Sequence, residues 1–264
     1  MNKKDLPFIV VIIGLGVGIT YLQSLAVKGV ARPSVLYFIA AYLRCAIIVL
    51  VCVWLAKKYK FIEQGGFRGF KPKNYWMLLI PLIFPGMVFT IQPAAECQVS
   101  AGYFITAFMF ICANALTEEV MFRGAIHGYL RKQHPEINHF KISIIASLLF
   151  SLIHLLNLSW ASGESVAQQL VYAFFTGLIF SALLIRTGNI WFLGIIHALL
   201  NLISSSCNLF PTSIMITNTH EQGNLLVNMG MMILIFSPLA FLSWALLYTI
   251  PRKKVNGSLY IGKP

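Results

Sequence analysis

The chain of 264 residues is 58% hydrophobic and 11% charged, and its mean hydropathy is +0.77. This composition is too apolar for a soluble domain of that length. The net charge of +12 would suggest nucleic-acid binding in a soluble protein. Here, however, the basic residues cluster between apolar segments, where membrane topology and anionic lipid account for them. We therefore predict a polytopic membrane protein that contacts membrane lipid and binds no nucleic acid.

Eight apolar segments follow one another along the chain. They are Leu6–Leu25, Val35–Leu55, Tyr75–Ile91, Tyr103–Leu130, Ile142–Leu158, Val166–Ile185, Ile190–Ile203 and Leu225–Ile250. These segments predict an all-α fold of about eight transmembrane helices, which form a single membrane domain over residues 1–264. A signal peptide is the alternative interpretation of the first segment. The seventh segment is the shortest, so a buried or re-entrant segment is the alternative to a full crossing there.

The basic residues predict cytoplasmic N- and C-termini. Of the 20 lysines and arginines, sixteen fall on the side of the N-terminus, whereas Lys28 and Arg32 fall on the opposite side. This asymmetry follows the positive-inside rule. The other two, Arg44 and Arg123, lie inside predicted spans, and the depth of Arg44 requires a partner that the sequence does not identify. The short loops and compact length are typical of a protein of the bacterial cell membrane.

The fourth segment carries three ionisable side chains in an otherwise apolar helix, where charge is costly and usually functional. It reads Thr117-Glu118-Glu119-Val120-Met121-Phe122-Arg123-Gly124. Glu119 and Arg123 are one helical turn apart on the same face, so we expect them to form an ion pair. Glu118 points roughly 100° away and has no partner in its own helix. The pattern therefore predicts one neutralised carboxylate beside one free carboxylate.

Polar residues also lie inside the fifth and seventh segments. His154 follows Phe150 by one turn on the fifth, and His197 precedes Asn201 by one turn on the seventh. Counted from the cytoplasmic ends at 1.5 Å per residue, the acids and both histidines lie about 16–20 Å deep. A lone histidine in a helix is usually a packing residue, but the shared depth predicts that three helices converge on one site. We expect water to reach this site from the cytoplasmic side.

This set of side chains suits the hydrolysis of an amide bond. A carboxylate held away from bulk water is a competent general base, and an imidazole can share that work on a water molecule. A histidine and an amide one turn apart can donate hydrogen bonds to an oxyanion. The rival interpretation is a transporter, because intramembrane acids and histidines also form proton relays. A transporter predicts inverted repeats and helices broken at the site, but residues 153–158 and 196–202 contain neither glycine nor proline.

Three motifs, taken in chain order, resemble those of a known family of membrane enzymes. They are Glu118-Glu119-x-x-x-Arg123, Phe150-x-x-x-His154 and His197-x-x-x-Asn201. On successive membrane spans they are similar to the motifs of the CPBP intramembrane proteases, also called the Abi or CAAX protease family. The resemblance implies that residues 103–204 are the catalytic core, formed by helices 4 to 7.

The resemblance also implies an activity, which is the hydrolysis of a peptide bond within the membrane by glutamate-activated water. Glu118 is then the catalytic base, His154 assists it, and His197 and Asn201 stabilise the tetrahedral oxyanion. The family was long described as metal-dependent, and a zinc ion held by Glu118, His154 and His197 is the alternative mechanism. We expect the reaction to need no metal cofactor.

The remaining motif residues, Glu119, Arg123 and Phe150, are implied to support the site structurally. The substrate is then a membrane-associated protein or peptide precursor. Prenylated proteins, bacteriocin or pheromone precursors and the anchored tails of surface proteins all remain open as its class. The alternative function is that of a non-catalytic membrane scaffold or bacteriocin-immunity partner with the same fold.

Overall fold

A computed structural model describes residues 5–26, 28, 34–68, 74–81, 101–159, 161–205, 225–250, 252–255 and 258–261. The α-helices are α1 (Asp5–Ala26), α2 (Val35–Lys58), α3 (Ala101–Glu119), α4 (Gly128–Gln133), α5 (His139–Ile153), α6 (Gly163–Thr187), α7 (Ile190–Ser205) and α8 (Leu225–Tyr248). A π-helix, Val120–His127, joins α3 to α4 without a break. Two 3-10 helices, Tyr75–Leu79 and His154–Ser159, complete the helical elements of the described chain.

Five helices of the described chain are long and apolar enough to cross a membrane. They are Asp5–Ala26, Val35–Lys58, His139–Ser159, Gly163–Thr187 and Met229–Tyr248, and Ile190–Leu202 is a shorter apolar helix. The chain is therefore a helical integral membrane protein. Most of the predicted third span, Tyr75–Ile91, lies outside the described residues. The number of eight spans consequently stays a prediction.

The all-α prediction is wrong at the C-terminus, where two short strands follow α8. Strand β1 (Arg252–Val255) pairs in antiparallel register with β2 (Ser258–Ile261), so that Arg252 lies opposite Ile261. A signal for this hairpin was present in the sequence. The two intervening residues are Asn256-Gly257, a dipeptide that favours tight hairpin turns because both positions tolerate positive φ.

The π-helix lies at the centre of the described part of the molecule. All eight of its residues are buried, and it contacts α1, α2, α5, α6 and α7. Around it, α6 packs against α5 and α8, and α3 packs against α7. Phe122 and Ile126 of the π-helix belong to one apolar cluster with Phe180 of α6. The helix that carries the acidic motif is therefore the element around which the others pack.

Glycines set the closest approaches between these helices. A Cβ on Gly16 of α1 would lie 2.3 Å from Met121 Cε, so α1 packs directly on the π-helix. A Cβ on Gly194 of α7 would lie 3.1 Å from Leu116 Cα, so α7 packs equally closely on α3. Gly14 of α1, in contrast, has open space where its Cβ would be. Gly16 and Gly194 are therefore positions at which neighbouring helices approach the motif helix closely.

The change of helix type after α3 was not predicted, because the fourth segment contains no proline. The loop that follows α2 packs on this part of the motif helix. A Cβ on Gly128 would lie 2.7 Å from Gly65 Cα, and a Cβ on Gly124 would lie 2.6 Å from the ring of Phe67. Side chains at these two positions would therefore collide with the loop. The predicted segment Tyr103–Leu130 is continuous, but it is an α-helix only up to its two glutamates.

Two hydrogen bonds hold this loop in place on the side where α1 begins and α2 ends. Arg131 Nη1 donates to the Gln64 carbonyl oxygen at 3.0 Å, and Ile190 N donates to the Gly66 carbonyl oxygen at 3.0 Å. Burial lowers the pKa of Arg131 to about 10, so its guanidinium is still charged at neutral pH. The loop thus covers the motif helix from the side of the N-terminus.

Candidate active site

Glu119 is the buried centre of the site. Its side chain has no exposed surface, and its Oε1 accepts hydrogen bonds from Arg123 Nη1 at 2.9 Å and His197 Nδ1 at 2.8 Å. The predicted pair with Arg123 is therefore confirmed. The second partner of Glu119, His197 on α7, was not predicted, because the spacing of residues within one helix indicates no contact with another helix. Because a carboxylate accepts hydrogen bonds, His197 carries its proton on Nδ1.

Glu118 faces a cavity instead. Its side chain is 39% exposed. It lines a cavity of about 830 Å³ whose wall comes from α1, α2, α3, the π-helix, the end of α5 with its 3-10 helix, and α6. Glu118 Oε2 lies 3.8 Å from His197 Nε2, which is too long for a direct hydrogen bond. The two adjacent acids therefore differ in surroundings, since one is paired and buried and the other borders space that water can fill.

His154 lines the same cavity and lies where α5 changes into a 3-10 helix. Its Nδ1 lies 2.8 Å from the carbonyl oxygen of Phe150. A carbonyl oxygen only accepts, so the proton of the neutral ring is on Nδ1 and the lone pair is on Nε2. His154 therefore keeps one basic nitrogen for a molecule in the cavity.

Two phenylalanine rings pack against the polar residues. The guanidinium carbon of Arg123 lies 4.0 Å from the ring centroid of Phe150 and 5.7 Å from that of Phe180. Phe150 also contacts the rings of His154 and His197, at centroid distances of 5.0 and 6.2 Å, and Phe180 lies 5.3 Å from His197. A desolvated cation–π contact contributes about 2 kcal/mol. Phe180, which no motif indicated, is thus a second aromatic support of the buried arginine.

The two predicted oxyanion donors stand behind the cavity wall. His197 is 5% exposed, and Asn201 is half-buried one turn further along α7. Neither belongs to the described residues that line the cavity, whereas Glu118 and His154 do. The structure thus brings His197 next to both glutamates but separates it from the open space by the carboxylate of Glu118.

The cavity lies towards the helix ends that are farthest from the N-terminus. Its wall includes Tyr21 and Ser24, which are exposed near the end of α1, and the exposed Ser159 after α5. The expectation that water reaches the site from the cytoplasmic side stays a prediction. On the side of the N-terminus, the loop of residues 59–67 packs on the motif helix.

The partner that the depth of Arg44 required is an amide. Arg44 Nη2 donates to Asn114 Oδ1, and both residues line the cavity. Asn114 lies four residues before Glu118, so a polar residue on the face of the catalytic candidate was visible in the sequence. The sequence did not indicate that Asn114 contacts Arg44 of α2, since the two residues are 70 positions apart.

The side chains do not assemble the zinc site considered as the alternative. Such a site needs Glu118, His154 and His197 around one ion. Glu118 and His197 are close enough to share an ion, but His154 does not complete the group. Among the described residues, no three histidine, cysteine, aspartate or glutamate side chains are arranged to hold a metal.

A comparison with protein families finds a match that contains Glu118, Glu119, Arg123, His154 and His197. Residues 100–203 match the family model described as type II CAAX prenyl endopeptidase Rce1-like. The match contains the three motifs. Helices α1, α2 and α8 lie outside it. A comparison with curated proteins finds no match.

Proposed function

We propose that the chain is an intramembrane endopeptidase in which Glu118 activates water, from the premise that residues 100–203 match the CAAX endopeptidase family model. The observation that carries the proposal is the difference between the two adjacent glutamates. Glu119 is engaged by Arg123 and His197, whereas Glu118 borders the cavity. The substrate is a membrane-associated protein or peptide precursor.

The proposed reaction begins with a water molecule between Glu118 and His154 in the cavity. Glu118 takes a proton from the water while the oxygen attacks the carbonyl carbon, and His154 Nε2 accepts the second hydrogen bond of that water. The tetrahedral oxyanion then forms. When the carbon–nitrogen bond breaks, Glu118 returns the proton to the leaving nitrogen, so the carboxylate is regenerated.

We propose His197 and Asn201 as donors to the oxyanion, and the geometry sets a condition on this role. His197 Nδ1–H is engaged by Glu119, so the ring nitrogen left to face an oxyanion is Nε2.

The proposed mechanism uses no metal ion, and Glu119, Arg123 and Phe150 have a positioning role in it. Glu119 orients the ring of His197 through one hydrogen bond, and Phe150 holds His154 through its backbone carbonyl. This is the arrangement expected of residues that fix a site without contacting the substrate.

For localisation we propose a bacterial cell membrane with both termini in the cytoplasm, as the distribution of basic residues predicts. The cavity then opens towards the outer side, because its wall includes Tyr21 and Ser24 near the end of α1. A substrate would accordingly present its cleaved bond from the outer half of the membrane.

The test is cleavage of a peptide library by the detergent-purified protein, with products identified by mass spectrometry. We expect Glu118→Gln to abolish turnover and to leave thermal stability nearly unchanged, because the amide keeps the shape but accepts no proton from water. Glu136→Gln is the matched control, since Glu136 is exposed and lies outside the cavity. Binding of peptides without cleavage by the folded wild type would contradict the protease and favour the non-catalytic partner. Proton uptake into proteoliposomes would instead favour the transporter.

A further inference from the structure

Arg44 is a cation in the wall of the cavity without a carboxylate partner among the described residues. It is half-buried on α2, where its Nη2 donates to Asn114 Oδ1 and lies 3.6 Å from Cys45 Sγ. Its Nε is buried and has no hydrogen-bond acceptor in the described part of the chain. A guanidinium has five N–H donors, and a neutral amide leaves its charge uncompensated. Most of the capacity of Arg44 to bind an anion is therefore unused.

Asn114 orients the guanidinium of Arg44. Its Nδ2 donates to the Phe110 carbonyl oxygen at 2.9 Å, so its Oδ1 is oriented towards Arg44. Asn114 and Glu118 lie four residues apart on the same face of α3, and both line the cavity. Four residues of helix correspond to about 6 Å, and one residue of extended peptide to about 3.3 Å. The amide that orients Arg44 therefore lies about two peptide residues from the carboxylate that activates the water.

We propose that Arg44, oriented by Asn114, binds a carboxylate of the substrate about two residues from the cleaved bond. This inference rests on the proposed endopeptidase function and adds a specificity-determining residue to it. The carboxylate is either the C-terminus of the peptide or an acidic side chain, which the experiment below distinguishes. An arginine binds a carboxylate through two parallel hydrogen bonds, and this geometry favours it over a lysine.

The surroundings of Arg44 favour an anionic ligand over a purely structural role. Among the described residues that line the cavity, Glu118 is the carboxylate and Arg44 is the permanently charged cation. Other polar residues in the wall are the uncharged Tyr37, Asn157 and Gln169. A tether between α2 and α3 would need no charge, and a charge at this depth is costly unless it has a function.

The experiment measures peptide binding separately from cleavage. The role of Arg44 can therefore be tested even if the endopeptidase proposal fails. The inactive Glu118→Gln protein is titrated with fluorescent apolar octapeptides in three forms. These end in a free carboxylate, in a carboxamide, or in a carboxamide with one glutamate at a varied internal position. We expect one carboxylate form to bind about 10-fold more tightly than the plain carboxamide, or better, because hydrogen bonds to charged groups are the strong ones.

Adding Arg44→Met to that protein should abolish the preference and leave the affinity for the plain carboxamide unchanged. Arg68→Met is the matched control, because Arg68 is exposed and paired with Glu63 outside the cavity. A preference for the free C-terminus assigns a terminal carboxylate, and a preference for the internal glutamate assigns a side chain. Equal binding of all three forms, or a preference that survives Arg44→Met, overturns the proposal.

A second variant covers the case in which Arg44→Met does not fold. Asn114→Asp supplies a carboxylate to Arg44 at the same position and loses only the hydrogen bond from Nδ2 to the Phe110 carbonyl oxygen. The new ion pair with Arg44 offsets this loss, so the protein should remain folded. We expect it to lose the carboxylate preference, because the guanidinium is then neutralised and the new charge repels the peptide. A purely structural Arg44 predicts higher thermal stability in Asn114→Asp with the preference unchanged, and that result would refute the binding role.

Discussion

Glu119 bridges Arg123 and His197 through its carboxylate. We therefore predict that loss of Glu119 lowers the stability of the protein more than loss of Arg123 does. Glu119→Gln leaves the buried guanidinium of Arg123 without a negative charge, and breaking a fully buried pair in this way costs about 3–5 kcal/mol. Arg123→Met, which preserves most of the volume, should cost less. In that variant the carboxylate of Glu119 still accepts the Nδ1–H of His197 at 2.8 Å, so it keeps a hydrogen-bond donor. The double variant should recover part of the loss, with a coupling of roughly 0.5–3 kcal/mol.

The assay is thermal unfolding of the four proteins in one detergent, followed by intrinsic tryptophan fluorescence. A loss of 3–5 kcal/mol corresponds to about 6–20 °C in a domain of 150–250 residues. Glu118→Gln serves as the control, since Glu118 is exposed to the cavity and should unfold within a few degrees of the wild type. If Arg123→Met proves the more damaging single change, or if the double variant equals the sum of the two, the bridge does not hold the site in the way described.

Three further predictions concern packing, access and metal. Gly194→Ala should destabilise the protein measurably because its Cβ would lie 3.1 Å from the backbone of Leu116, whereas Gly14→Ala, in open space, should not lower the melting temperature. In a background without the five native cysteines, Ser24→Cys should react with a membrane-impermeant thiol reagent from the outer side and Gln133→Cys from the inner side. The reverse pattern would invert the proposed topology. Peptidase activity should survive extensive chelation, and restoration by added zinc after its loss would contradict the metal-free mechanism.

Helical periodicity was sufficient to predict the contacts within one helix. The spacing of Glu119 and Arg123 predicted their ion pair, and the shared depth of the acids and His197 predicted that α3 and α7 meet. These features follow from the constant rise per residue of a helix, so they can be calculated from the residue numbers alone. The division of labour between the two glutamates also followed, because adjacent residues of a helix point about 100° apart.

The missed features depend on contacts between distant parts of the chain. The packing of Gly65 and Phe67 on two glycines of the motif helix was missed, because no rule of local sequence indicates which glycines receive such a loop. The contact of Arg44 with Asn114 joins residues 70 positions apart, and helical spacing carries no information on such a pair.

The wall of the cavity has two different origins in the chain. Glu118 and His154 belong to the segment that matches the family, whereas Gly16, Tyr37 and Arg44 come from α1 and α2, which precede it. Under the proposed roles of Glu118 and Arg44, the group for hydrolysis and a group for substrate selection lie in separate stretches of the chain. Mutations in the first two helices would then change which peptide is accepted while the hydrolytic groups stay the same.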